Sequence, residues 1–483
     1  ALAGAMEAEG TEAPGIFKGA PVIVRGLRSA PEHNGARGTV TSGLWDNGRY
    51  EVTLPREPAG EPRVLALKPA NLELDTEALQ EYVLRKRAEA SSRGSALEDV
   101  ALVWAKGKGL SSKAVSSRKA EVRGLQQGEV LLRVDKFAFG HMAMGYLMKG
   151  FTRSFGAYHN FYRHPEDGLY RSGCWGFATV LESRHPKVAV GTRLYGLLPP
   201  CRFQVMPVGG IIPPGKNGEP AVVEVTMEGL PYNMSRFQEL QVVDSCASDA
   251  HLEDWKAVTK ELYTMAFYMD EQLLVDTGMI NSVLISCASS KTALALAYCL
   301  RMRDMRLVVG LTSQEHLGFV RSTDLFHEVY AYEEVASVPN SSTTVYMDFR
   351  CDGQLRRDIC QRMGTNLMYA MVVGPAVFQR KLKDQLFEGQ KSREVLFDES
   401  SWRARRKMVA EVTKTDRNER LRYSQTAFIE RLQRFVRLRY VSGVGALVKI
   451  YDALYNNEAS PADAYVCTLH EGEFEGEEEL WNE

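Results

Sequence analysis

Four short apolar runs dominate the second half of this chain: Ser282-Val283-Leu284-Ile285, Arg306 to Leu311, Thr343 to Asp348 and Asn366 to Gly374. Each has a contiguous apolar centre rather than apolar residues at alternate positions, which is what a strand needs when both of its faces are covered. Helical texture separates them. A helical stretch, Leu262 to Asp276, leads into the first run, and a long apolar helix, Lys291 to Met302, follows it after a turn of small residues. Strands that alternate with helices at this spacing return in the same direction, so the pattern predicts a parallel, doubly wound sheet.

Upstream the texture differs. Between Ile16 and Leu74, short strands such as Val22-Ile23-Val24, Gly38-Thr39-Val40, Arg49 to Leu54 and Val64 to Leu67 are separated by the turn signals His33-Asn34-Gly35 and Asp46-Asn47-Gly48. Short strands with Asn-Gly turns predict a small antiparallel barrel. Thr76 to Ala90 reads as an exposed amphipathic helix, and Ser91 to Ser95 as a linker. A second β-rich passage runs from Gly128 to Phe139, from Gly173 to Ser183, and on through Val190–Gly196 and Cys201–Pro207. The last hundred residues read as mainly helical and charged, with a basic cluster at Arg403, Arg405, Arg406 and Lys407, and the end from Glu471 is acidic.

Composition narrows the function. Lys and Arg number 59 against 61 Asp and Glu, so no global basic field argues for nucleic acid. No run of about 18 apolar residues argues for a membrane span, and Ala1 to Pro14 lacks the layout of a signal peptide. Eight cysteines are scattered with no C-x-x-C pair, which reads as reduced, buried thiols in a cytoplasmic protein and argues against a zinc site.

The turn after Val283-Leu284-Ile285 is where a dinucleotide fold would place a pyrophosphate, against a helix N-terminus. The usual G-x-G-x-x-G spacing falls on Ala288, Ser290 and Ala293, so no glycine occupies it. Small side chains at Ala288 and Ser289 keep helix and sheet close, the hydroxyls of Ser290 and Thr292 can donate to phosphate, and Lys291 adds positive charge. A purely structural strand–helix turn is the alternative. The next strand ends at Thr312 and Ser313, where a site preferring NAD would carry an acid. Its absence favours a 2′-phosphate and hence NADP(H). Arg321, eight residues on, is either a helper or an exposed helix arginine.

The segments EVLLRVDKFAFG, WGFATVLESRHPKVAVGTRLYG, SVLISCASSKTALALAYCL, RLVVGLTSQEHLGFVRSTDLFHEVYAY, TTVYMDF and LMYAMVVGPAVF, in this order, resemble quinone-oxidoreductase-like members of the medium-chain dehydrogenase/reductase superfamily. The wording CWGFATVLESRHPKVAVG, ISCASSKTALALA and VVGLTS is similar still more closely to a family of unknown function within that fold, common in bacteria. The N-terminal VIVRGLRSAPEHNGARGTVTSGLWDNGRYEVTL resembles SH3-like, KOW-type barrels of algal and protist proteins. The resemblance implies an α/β fold: a GroES-like β-barrel domain plus a Rossmann-type sheet, preceded by the SH3-like all-β barrel. The expected divisions are 16–75 for the small barrel, 76–98 for helix and linker, 99–245 for the substrate domain, 246–380 for the dinucleotide domain, and 381–483 for a helical return to the substrate domain.

Zinc-dependent relatives carry a Cys ligand and a His-Glu pair where this chain reads Phe139-Gly140-His141-Met142 and Cys174-Trp175-Gly176-Phe177, so the resemblance implies a zinc-free site. It further implies a reductase acting on an activated carbonyl or α,β-unsaturated small molecule, bound in a cleft between barrel and sheet. Tyr158 is the first choice as proton donor, with Tyr232 and Asn233 as a second polar pair, and Gly374 joins the cofactor residues at the end of its strand. The alternative is a catalytically inert binding protein whose N-terminal barrel recruits a protein partner.

Overall fold

The computed structural model describes residues 16–42, 48–55, 62–92, 97–105, 115–150, 162–164, 166, 168–215, 220–226, 237–243, 250–276, 280–305, 307–373, 394–396, 417–471 and 474. They fall into two units, Ala1–Val258 with Leu438–Tyr455 and Tyr465–Glu483, and Thr259–Arg437 with Asn456–Ala464. Among the described residues, no helix is long and apolar enough to cross a membrane.

The first unit begins with five antiparallel strands, β1 (Pro21–Val24), β2 (Arg37–Val40), β3 (Tyr50–Leu54), β4 (Arg63–Leu67) and β5 (Leu72–Leu74), in the order β4-β3-β2-β1-β5. β3 alternates buried and half-buried residues, the pattern of a strand with one face on a core. Helix α1 (Thr76–Ser92) follows and buries Leu79 and Val83 against the same core. Four more short strands form a small sheet: β6 (Glu98–Ala105) and β7 (Val115–Glu121), then, beyond β8 (Glu129–Phe139) and α2 (His141–Gly150), β9 (Tyr162–Arg163) and β10 (Leu169–Arg171).

The centre of this unit is a closed barrel. β11 (Cys174–Ser183), β12 (Arg193–Leu198), β13 (Phe203–Ile212), β14 (Val222–Val225) and β15 (Glu239–Val242) join β8 in the ring β11-β12-β15-β14-β13-β8, and β11 pairs back onto β8 to close it. The closure is tight at Gly176, where a Cβ would stand 2.3 Å from the Lys136 carbonyl oxygen. Residues Glu129 to Val134 of β8 are all buried, because one face of the strand looks into the barrel and the other is covered. What covers it is the N-terminal module. Leu131 and Leu181 belong to the same core cluster as Val22, Leu72 and Leu79, and the Arg133 guanidinium lies 3.9 Å from the Phe17 ring centroid. Buried charges are paired: Arg193 reaches both Asp135 and Glu253, the latter at 2.9 Å, and Lys136 reaches Asp254 at 2.6 Å.

The second unit holds the expected parallel sheet. Helix α3 (Ala250–Asp276) precedes β16 (Ser282–Ile285), followed by α4 (Lys291–Met302), β17 (Leu307–Thr312), α5 (Leu317–Ser322), β18 (Glu328–Ala331), β19 (Thr344–Asp348), α6 (Gly353–Met363), β20 (Leu367–Val372) and β21 (Glu394–Leu396). All six strands are parallel, in the order β18-β17-β16-β19-β20-β21. Counted from β16, that is 3-2-1-4-5-6, the doubly wound order of dinucleotide-binding sheets, whose direction of winding reverses between the first and fourth strands. Helix α4 is buried from Ala293 through Leu300, consistent with its nearly unbroken apolar sequence.

Helix α7 (Arg417–Leu432) packs Phe428 against Tyr263 and Tyr298, with ring centroids 5.0 and 5.4 Å away. The chain then adds β22 (Arg437–Ser442), α8 (Gly443–Asn456) and β23 (Asp463–Thr468). β23 is antiparallel to β8 and β22 lies beyond it, so the charged C-terminal stretch contributes two strands as well as helices.

Candidate functional site

In an open α/β sheet, ligands bind beyond the carboxyl ends of the strands where the winding reverses. Here that point lies between β16 and β19. Three loops line it: residues 286–290 after β16, Ser313 onward after β17, and Phe349 to Asp352 after β19.

The first loop is held from several sides. The Ser286 hydroxyl accepts from the backbone N–H groups of Phe349 (3.0 Å) and Arg350 (3.1 Å), which ties the loop after β16 to the loop after β19. Cys287 adopts a left-handed backbone with φ of 50°, a conformation that favours glycine. Its N–H donates to the Tyr332 hydroxyl at 3.2 Å, and burial pushes its thiol up to about 12. Ala288 is fully buried, and a Cβ added at Gly310 of β17 would lie 3.0 Å from its methyl group. Loop and neighbouring strand are therefore in close contact through two minimal side chains. Ser290 caps α4, its Oγ accepting from the Ala293 N–H at 3.3 Å.

Lys291 opens the helix, and Thr292 follows within its first turn. The Lys291 ammonium donates to the carbonyl oxygens of Asp463 (2.6 Å) and Pro461 (3.3 Å), and desolvation brings it down to about 8 from its ordinary 10.5. Ser289 lies 3.3 Å from His316 Nδ1, in the single helical turn Gln314–His316 after β17.

At the end of β17 the Thr312 hydroxyl oxygen is buried and has no hydrogen-bond partner among the described residues. The neighbouring Ser313 hydroxyl donates to Glu315 Oε1 at 3.2 Å, so a carboxylate does stand near this strand end, three residues beyond Thr312. Arg321 is not held here: its guanidinium donates to the Val329 carbonyl at 3.1 Å.

Two residues enter that the sequence patterns passed over. The Arg350 guanidinium stacks 4.1 Å from the Tyr332 ring centroid, and its positive charge is one of the forces lowering the Cys287 thiol against the larger effect of burial. Arg350 directly follows the run Thr343 to Phe349. Its signal was its place after the fourth strand of a reversing sheet, which needs strand order to be seen. Beneath it, buried Asp348 accepts from the Arg350 N–H (3.1 Å), the Cys351 N–H (2.8 Å), the Tyr346 hydroxyl (3.0 Å) and the Arg356 guanidinium (2.9 Å), fixing the loop.

The structure thus gathers Ala288, Ser289, Ser290, Lys291 and Thr292 at one turn and brings Ser289 to the loop that follows Thr312 and Ser313. Tyr158, Tyr232, Asn233 and Gly374 lie outside the described residues. Seven cysteines are described; none of the seven is in a disulfide and six are buried. Among the described residues, no group of three or more His, Cys, Asp or Glu side chains is arranged to hold a metal ion.

No curated protein matches the sequence. Among solved structures, CurA of Vibrio vulnificus in complex with NADPH is similar over 77% of this chain and 99% of its own, at 13% identity and a TM-score of 0.49. The quinone oxidoreductase of Coxiella burnetii is similar over the same share of this chain and 99% of its own, at 11% identity and a TM-score of 0.44. The family model described as protein of unknown function (DUF2855) matches residues 146–460, well over half of the sequence, and the chain belongs to that family.

Proposed function

We propose that this protein is a zinc-free, NADP(H)-dependent reductase acting on an activated carbonyl or α,β-unsaturated small molecule, with an SH3-like barrel at its N-terminus. The observation that carries the reading is the β16–α4 turn. It sits at the reversal point of a sheet wound 3-2-1-4-5-6, with the N-terminus of a buried helix behind it. The left-handed Cys287 and the Ala288–Gly310 contact reproduce with small side chains the close approach that glycines usually provide. The unpartnered Thr312 hydroxyl is a buried polar group of the kind that a ligand or ordered water satisfies.

In this reading Ala288, Ser289, Ser290, Lys291 and Thr292 hold the pyrophosphate, Thr312 and Ser313 face the ribose, and Gly374 completes the cofactor residues. Arg350 is added as the cation between the first and fourth strands. The nicotinamide supplies a hydride, and the chain must orient the acceptor and provide a proton. Tyr158 is assigned that proton, with Tyr232 and Asn233 as a second polar pair.

A specific observation favours a second reading. The Cys287 N–H is engaged by the Tyr332 hydroxyl, and the Lys291 ammonium is held on two carbonyls. A site whose donors are spent internally suits a ligand-free, inert relative that acts through a protein partner. Fluorescence titration of the full chain decides between them. NADPH should bind, and more tightly than NADH; absence of binding by either nucleotide selects the inert reading.

A further inference from the structure

A cavity of about 310 Å³ lies within the first unit, between α1 and the outer face of the barrel. All of its lining residues belong to that unit. Its walls are apolar where α1 and the barrel meet, with Tyr82 and Val83 from the helix and Leu181 and Phe203 from β11 and β13. Its charges are mostly of one sign: Lys18, Lys86, Arg133 and Arg202 line it against a single carboxylate, Glu471.

The floor is built rather than incidental. Arg133 is buried under the Phe17 ring and paired with Asp135. Arg202 is fixed by its Nε donating to the Leu469 carbonyl at 2.7 Å and by its backbone N–H donating to Asp99 at 2.9 Å. Its remaining arm meets Glu471 at 3.1 Å, and that carboxylate is on a side chain 81% exposed. His470 packs edge-on against Phe203, with ring centroids 5.5 Å apart. Its Nε2 is buried and has no hydrogen-bond partner among the described residues.

We propose that this cavity binds a small organic carboxylate with an apolar body. Glu471 already displays the headgroup chemistry, since a carboxylate from the chain's own end rests on Arg202 from the solvent side. A ligand carboxylate can take that place. Burial first, and then Arg133 and Arg202, hold His470 well below its ordinary range, so the ring is neutral and the guanidiniums and ammoniums carry the charge. The aliphatic or aromatic body lies along Val83, Leu181 and Phe203. A cavity near the lower end of ligand-pocket volumes, roughly 300–1,000 Å³, limits the ligand to a small molecule.

Calorimetric titration of the full chain with octanoate, 1-octanol and octylamine tests the proposal. Octanoate should bind one to one, octanol at least tenfold more weakly, and octylamine not at all. Lys18 and Lys86 are exposed, and the Lys86 ammonium lies 5.8 Å from the Tyr82 ring centroid, so the double replacement Lys18→Glu, Lys86→Glu should lower the melting temperature only slightly and weaken octanoate at least tenfold. Equal affinity for octanoate and octanol, octanoate binding indifferent to the double replacement, or no octanoate binding would each overturn the assignment. None of these results depends on whether NADPH binds.

Discussion

Lys291 stands at the first position of α4 with its ammonium on the carbonyls of Pro461 and Asp463, and the surrounding protein strips it of water. Its value falls to about 8, below the 10.5 it regains on unfolding. Below the lower value both states are protonated, and the folded state carries the whole desolvation cost. As pH rises between the two values, the folded state releases its proton first, so the unfolded state binds more protons and stability increases. The side chain is partly exposed, which trims the effect, and the gain from about pH 7 to about pH 10 should be on the order of 2 kcal/mol. Urea unfolding of wild type and Lys291→Met across that range checks it: the wild type should gain relative to the mutant, and a constant difference would place the ammonium in water. Glu315 poses a second question at this scale. Its carboxylate accepts from Ser313 beside the proposed 2′-phosphate position, but it is 74% exposed and therefore screened. Glu315→Gln should shift the NADPH-to-NADH affinity ratio toward NADPH by only about two- to fivefold, the scale of an exposed charge pair. A shift toward NADH would mean that the ribose lies elsewhere.

The turn between β16 and α4 is the element on which the functional reading rests, and its conformation is set by one residue. Cys287 has φ of 50°, where a non-glycine residue costs roughly 1–2 kcal/mol. Glycine at that position removes this cost but also a buried thiol 3.6 Å from the Tyr332 hydroxyl, so the two effects nearly cancel. Equilibrium unfolding should find Cys287→Gly within about 1 kcal/mol of wild type, whereas Cys287→Val, β-branched in a left-handed position, should cost about 2 kcal/mol or more. If both substitutions cost the same, the backbone there is not held left-handed. This element also marks what the residues disclose. β16, β17, β19 and β20 are legible because strands covered on both faces must be contiguously apolar, and helix α4 because its small, apolar sequence has to be buried. The strands β22 and β23 are harder to read, because each is short and set among helices, although Arg437-Leu438-Arg439-Tyr440 alternates charged and apolar residues and Ala464 to Cys467 is contiguously apolar. Tyr332 and Arg350 are hidden for a different reason. They reach the turn only through the order of the strands, which no local pattern records.

At the scale of the chain, the linker composition of Ser91 to Ser95 predicts a separable N-terminal module. Its core instead continues into the barrel. Leu79 of α1 is fully buried in the cluster that includes Leu131 of β8 and Leu181 of β11, and partly buried Phe203 and Val205 of β13 pack on it. The sequence carries a trace of this in Val130-Leu131-Leu132, three apolar residues in succession on an antiparallel strand that would alternate if one face met water. Arg133 adds to the argument, because a buried guanidinium paired with Asp135 and roofed by Phe17 would lose its roof if the module left. Removing the residues before Leu97 should therefore expose an apolar patch on β8, β11 and β13 and leave a chain that binds hydrophobic dyes and aggregates. The milder change Leu79→Ala should cost about 2–5 kcal/mol in the unfolding transition of the barrel, the range for a buried leucine whose cavity cannot fully collapse. Two results would contradict a shared core: a truncated chain that stays monodisperse, or a Leu79→Ala variant in which only a separate, early transition moves while the main one is unchanged.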